Sequence, residues 1–243
     1  MTDAARQEIL SRIRTALAVE AHHQTERVDE GRAPQPGNLQ PPASVTPTKP
    51  DSPRDELVKQ FAAELTQAGG LFYYAEDAPS ACEHLRKIVA SASARRVIGW
   101  RWPVFQRIGL PELFAKAGVE FAEDGAPGQS GDFTAAAIEA DIGVTGAHFA
   151  LAETGTLVML SGTGLARTAS LMPPIHVAIV ESEQVIPTLD DLLSRINTGG
   201  SPAGLSSAIT LVTGPSRTAD IELVLVVGVH GPQQLHVILL DGK

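Results

Sequence analysis

Apolar residues along the chain change period several times, and those changes mark its elements. Ile9, Ile13, Ala16 and Leu17 recur at helical spacing within residues 4–19, beside Arg6, Arg12 and Arg14, so a short amphipathic helix is expected there. It is marginal alone in water and is expected to dock on its own domain or on a partner. From 21 to 53 the pattern stops: Pro34, Pro36, Pro41, Pro42, Pro47, Pro50 and Pro53 interrupt a polar stretch, which reads as an extended or disordered tether. Ser52 as N-cap, Pro53 as first helical residue and Asp55 in the first turn then open a helix. Its apolar face is Leu57, Val58, Phe61 and Leu65, and Gly69-Gly70 stops it.

Beyond Gly70 the pattern predicts a strand at 71–75, a helix at about 78–92, a strand at 95–99, a helix at about 111–117, a strand at 119–122 and a helical turn near 134–139. Short strands alternating with helices imply crossover connections and a largely parallel sheet. Residues 142–147, 149–152 and 156–160 are three β-rich pieces with no room for a helix between them, so an antiparallel element is inserted there. A strand at 176–180 follows, then a helix opened by Thr188 with Asp191 three residues on. Strands at 209–213, 223–228 and 235–240 close the chain. The expected organisation is a helix over 1–20, a Pro-rich linker over 21–53 and one α/β domain over 54–243, with no internal repeat of fixed period.

Composition narrows the partners. The formal net charge is -9, which argues against a nonspecific nucleic-acid binder. The longest aliphatic run, Leu223–Val229, is far short of the roughly 20 residues of a membrane-spanning helix. A single cysteine, Cys82, excludes an internal disulfide, an iron–sulfur cluster held by four thiolates of this chain and a cysteine-based structural zinc site. No secretory signal is visible at the N-terminus, and the cytoplasm is the expected compartment.

Four segments could carry chemistry. The first, Glu153-Thr154-Gly155-Thr156, is a small polar turn between apolar strands. Glu153 could act as a general base and the threonines could orient a ligand, whereas the plain alternative is a hairpin turn. The second, Ser161-Gly162-Thr163-Gly164 followed by Arg167, could form an anion-binding nest with a guanidinium fork, but it lacks the complete P-loop and dinucleotide patterns. The third, Ser216-Arg217-Thr218 with Asp220 and Glu222, follows an apolar strand. Such a strand-to-loop step sits where α/β sheets take ligands, at the carboxyl ends of parallel strands; the equal alternative is an N-capped turn with Arg217 paired to Asp220 or Glu222.

The fourth segment places His230 between glycines at a strand end, a position with backbone freedom and solvent access where an imidazole could serve as acid, base or ligand. His148, His176 and His236 lie in strand contexts and read as structural. Trp100-Arg101-Trp102 reads as a loop that packs its aromatics on the domain rather than a stacking lid, and Cys82 reads as buried on a helix face. No histidine or carboxylate spacing suggests a metal site.

GVTGAHFALAETGTLVML, PPIHVAIVES and TGPSRTADIELVLVVGVHGPQQLHVILLDG together resemble the lactate utilization protein C family, whose shared unit is the LUD domain. The resemblance spans roughly residues 52–242. It implies an α/β fold similar to ribose-phosphate isomerase, glucosamine-phosphate deaminase and CoA-transferases. It also implies a part in bacterial oxidation of L-lactate to pyruvate beside two iron–sulfur partner subunits, which would hold the clusters that this chain lacks the cysteines to bind.

The site expected on these grounds holds a small anionic ligand. Arg217 and Arg167 bind it, Ser216, Thr218, Thr154, Gly155, Thr156 and Asp220 surround it, and Glu153 or His230 serves as acid or base. The rival expectations are a free-standing enzyme on sugar phosphates or CoA esters, supported by fold analogy alone, and a pure assembly protein. A homo-oligomer is left open.

Overall fold

The computed structural model describes residues 53–125, 133–197, 206, 208–219, 225–228 and 230–241, all within one compact unit. The amphipathic helix and tether expected before Pro53, the N-cap Ser52 and the candidate Asp220 lie outside these residues.

Helix α1 (Pro53–Gln67) buries Val58, Phe61, Ala62 and Leu65, and ends where Gly69 takes φ 90°. Strand β1 (Leu71–Ala75) leads to α2 (Ala78–Ser91), where Asp77 and Ser80 form a reciprocal capping box and the buried stripe is Ala81, Leu85, Ile88 and Val89. Such a box satisfies two of the amide groups that a helix start leaves free. After β2 (Arg96–Gly99) the chain forms two short helices, α3 (Pro103–Arg107) and α4 (Leu110–Ala117), where one was expected. Gly109, at φ 68°, turns the chain between them. Strand β3 (Glu120–Glu123) and helix α5 (Phe133–Glu139) precede β4 (Ile142–Gly146).

Then come β5 (Phe149–Leu151), β6 (Thr156–Leu160), α6 (Thr168–Leu171), β7 (Ile175–Glu181) and β8 (Val185–Ile186). Helix α7 (Leu189–Asn197), β9 (Ile209–Val212), β10 (Arg217–Ala219), β11 (Leu225–Val227) and β12 (Gln234–Leu240) complete the order. As expected, Thr188 and Asp191 cap α7: the Asp191 carboxylate accepts from the Thr188 amide and hydroxyl.

Six strands form one parallel sheet in the order β1-β12-β7-β4-β2-β3. This is the largely parallel α/β architecture, with apolar runs buried on both faces as parallel strands require. Helix α1 packs on one face with Phe72, Val237, Leu239, Ala178 and Val180. Helices α2 to α5 pack on the other with Tyr73, Val144, Val177, Ile179 and Ile238.

A second, mixed sheet, β8-β5-β6-β9, is the inserted antiparallel element. Its outer face packs Phe149, Leu151 and Val158 against Leu192 and Ile196 of α7. Two late strands depart from expectation. Strand β9 joins this second sheet antiparallel to β6, and the strand expected at 223–228 is a three-residue piece paired antiparallel with β10 in a separate hairpin. The register explains β9: Leu157 pairs with Val212 and both contribute to the core under α1, a partnership that the parallel sheet does not offer.

Candidate functional site

Connections from β2 and β4 leave in opposite directions, so the crevice beyond their carboxyl ends is the place where open α/β sheets commonly take ligands. Here it is filled by the chain itself. Trp100 is 1% exposed and donates its indole N–H to Ala166 O at 2.9 Å. His148 packs against it edge-on and Trp102 at a tilt, and the Trp102 and His148 ring centroids lie 4.9 Å apart. The Trp100–Trp102 loop thus packs its aromatics on the domain, as read from the sequence.

The glycine-bearing loop 161–167 closes over the same end. Gly164 O accepts from the Arg101 amide, and the Asp124 carboxylate accepts from the Ala166 amide at 2.8 Å. Arg167 precedes α6 with an exposed guanidinium.

A cavity of about 300 Å³ opens instead at the amino ends of β7 and β12. His176 and Leu235, the second residues of those strands, line it from the parallel sheet, and Ser170 and Leu171 line it from α6. Residues 210–216 and the His230-Gly231-Pro232 turn complete the wall. Two bonds hold these loops together: the Ser216 amide donates to Pro232 O, and the Gly228 amide donates to Ser216 O, both at 2.9 Å. A Cβ on Gly231 would meet the Ser216 side chain at 3.1 Å, so glycine allows that close approach.

Backbone polarity adds to the wall. Among the described residues β9 is an edge strand. The Ser161 amide donates to Ala208 O, and antiparallel pairing alternates, so the N–H and C=O of Leu211, a residue that lines the cavity, point away from β6 at the open edge.

The expected site residues divide. Ser216 and His230 meet at the cavity. Thr154 donates to Thr156, whose hydroxyl lies 2.7 Å from that of Thr213, a cavity residue, so the mid-chain turn adjoins the wall without lining it. Gly155, at φ 63°, presses on the backbone of Glu64 and Leu65 in α1. The Glu153 carboxylate accepts from the Leu189 amide at 2.7 Å and so caps α7.

The Arg217 guanidinium donates one hydrogen bond, at 2.7 Å, to Ala68 O at the carbonyl end of α1, and the residue is exposed. Thr218 stands in register with Val226 in the hairpin. The loop containing these residues also follows an antiparallel strand, so it does not lie at the carboxyl end of a parallel one.

The sequence reading missed His176 and Thr210 as cavity residues. His176 lies in an apolar strand, as His236 does, but the two rings leave opposite faces of the sheet and only His176 lines the cavity. His236 is spanned by Tyr73 and Gln234, whose side-chain oxygens lie 3.0 Å from its Nδ1 and Nε2 respectively. In His176, Nε2 lies 2.8 Å from Thr145 Oγ1, while Nδ1 is buried and has no hydrogen-bond partner among the described residues. Burial pushes the His176 pKa down to about 3, aided by the nearby His236, and burial lowers His148 and His236 to about 4. The three rings are therefore neutral at pH 7. His148 accepts the Leu160 amide at Nδ1, which fixes its proton on Nε2.

Among the described residues no group of three His, Cys, Asp or Glu side chains could hold a metal ion, and no helix is long and apolar enough to cross a membrane. Cys82 is half-buried, donates to Ile108 O at 3.2 Å, and has its thiol pKa raised by burial.

The architecture is that of an α/β protein with a parallel six-stranded sheet and a second sheet packed upon it. A crystal structure of a DUF162 family protein from Deinococcus radiodurans shares this fold, with a TM-score of 0.54 at 24% identity over 79% of this chain and 99% of that one. The LUD domain profile matches residues 58–240, and the chain belongs to the LUD domain family.

Among its relatives, Lactate utilization protein C of Halalkalibacterium halodurans is 37% identical over 64% of this chain and 67% of its own length. The protein of the same name from Shouchella clausii is 30% identical over 85% and 90% respectively. Lactate utilization protein B of Shouchella clausii is 25% identical over 77% of this chain and 48% of its own.

Proposed function

We propose that this chain is a component of a bacterial lactate-utilization system and that the cavity between β9, β7 and the His230 turn is its small-ligand site. The system-level reading rests on the relatives named Lactate utilization protein C and B. The site-level reading rests on one observation: two separate loops bring Ser216 and His230 together on the wall of a half-open pocket about 300 Å³ in volume.

The ligand is a small anion. His230 and Ser216 serve its charged end, and the edge amide of Leu211 adds a backbone donor. Clusters for electron transfer belong to iron–sulfur partner subunits, and the cytoplasm is the compartment. A phosphate ligand is disfavoured, because no arginine or lysine lines the pocket among the described residues.

Deleting the gene in its host abolishes growth on L-lactate as sole carbon source, and full growth in a host without a paralogue would refute the assignment. At the site, L-lactate raises the thermal midpoint of the purified protein more than a sugar phosphate or CoA ester does, since selective binding to the native state stabilises it.

A further inference from the structure

An imidazole nitrogen sealed in a core without a partner is destabilising by roughly 1–3 kcal/mol, and such groups call for a specific explanation. His176 is 1% exposed, its Nε2 is taken by Thr145, and its Nδ1 is unpartnered among the described residues. The strand positions level with it supply no alternative partner: Gly143 on β4 has no side chain and Leu235 on β12 is apolar. The remaining direction is the cavity that His176 lines. A group meeting Nδ1 therefore arrives through that space.

We propose that His176 is the specificity-determining residue of the cavity, where its second ring nitrogen pairs with a hydroxyl of a ligand whose anionic end lies toward Ser216 and His230. This rests on the reading of the cavity as a ligand site. A neutral imidazole presents one N–H and one bare nitrogen, and Thr145, whose hydroxyl both donates and accepts, engages either form. Nδ1 is left with the complementary role. A hydroxyl meets both forms, whereas a carboxylate only accepts. The ring thus selects for a hydroxyl-bearing ligand, while ligand charge is served at the more exposed mouth.

The test titrates the purified full-length protein by calorimetry with L-lactate and with propionate, which has the same carbon skeleton without the hydroxyl. L-Lactate binds the unsubstituted protein about tenfold more tightly than propionate, the size of one hydrogen bond. His176→Phe brings the ratio close to one while the propionate Kd stays within about twofold. If neither acid binds the unsubstituted protein, the ligand reading of the cavity falls and takes this inference with it. If L-lactate binds but the two acids bind equally, or the preference survives His176→Phe, only the role of His176 is overturned. Should the variant not fold, nitrogen-15 NMR of the unsubstituted protein decides: the His176 Nδ1 resonance moves on adding L-lactate, and an unmoved resonance at saturation refutes the contact.

Discussion

The hydroxyls of Thr156 and Thr213 lie 2.7 Å apart across neighbouring antiparallel strands, and Thr154 donates to Thr156 from the same turn. This short chain of hydroxyls ties the mid-chain turn to the loop that walls the cavity, 57 residues further along the sequence. Thr156 is 4% exposed, so a lost partner there is not readily replaced by water. Thr156→Val therefore lowers stability by about 1–2 kcal/mol in urea denaturation, and Thr213→Val, made in the same background, adds less than it costs alone. Full additivity would show that the two hydroxyls do not act as a pair.

Gly155 cannot carry a side chain in this fold. Its φ is 63°, and a Cβ would collide with the backbone amide of Leu65 in α1. Gly155→Ala thus costs about 2–4 kcal/mol from the positive φ and the clash together, read as a lower midpoint with unchanged denaturant slope. An unaltered midpoint would mean that α1 does not sit on this turn.

Glu153 and Arg217, candidate acid/base and ligand-binding residues in the sequence, each hydrogen-bond to a helix end. Glu153→Gln keeps a side-chain oxygen for the Leu189 amide and stays within about 0.5 kcal/mol of the parent, whereas Glu153→Ala loses roughly 1 kcal/mol. Arg217→Ala loses about 0.5–1 kcal/mol through the exposed bond to Ala68, with the L-lactate affinity unchanged. A large loss of affinity in Arg217→Ala with intact stability would restore the guanidinium to the ligand.

Acid destabilises the fold in a defined window. His148, His176 and His236 have folded pKa values below the unfolded value near 6.5, so protons bind preferentially to the unfolded chain. Their contribution to stability is fully present above pH 6.5. It falls as pH drops toward about 4, by up to roughly 1.4 kcal/mol per pH unit for each ring, and His176 extends the loss toward pH 3. Urea midpoints measured from pH 7.5 to 4.5 record this slope, which His236→Gln reduces. Stability that is flat across that range would contradict burial of the three rings.

The sequence by itself determined the α/β alternation, the inserted antiparallel element, the helix stops at Gly69-Gly70 and the Thr188–Asp191 cap. These are local consequences of period, turn chemistry and hydrogen bonding within a few residues. It also carried the family, through long stretches in which small, apolar and charged positions recur together.

Only the tertiary structure decided which candidates share a site. Ser216 and His230 meet because β9 leaves the parallel sheet to pair with β6, a choice made by contacts between residues about fifty positions apart. The same long-range pairing turned Arg217 toward α1, set Glu153 on α7 and left a histidine in an apolar strand facing a cavity. Periodicity tells which face of a strand is apolar, but what crosses above that face depends on distant parts of the chain.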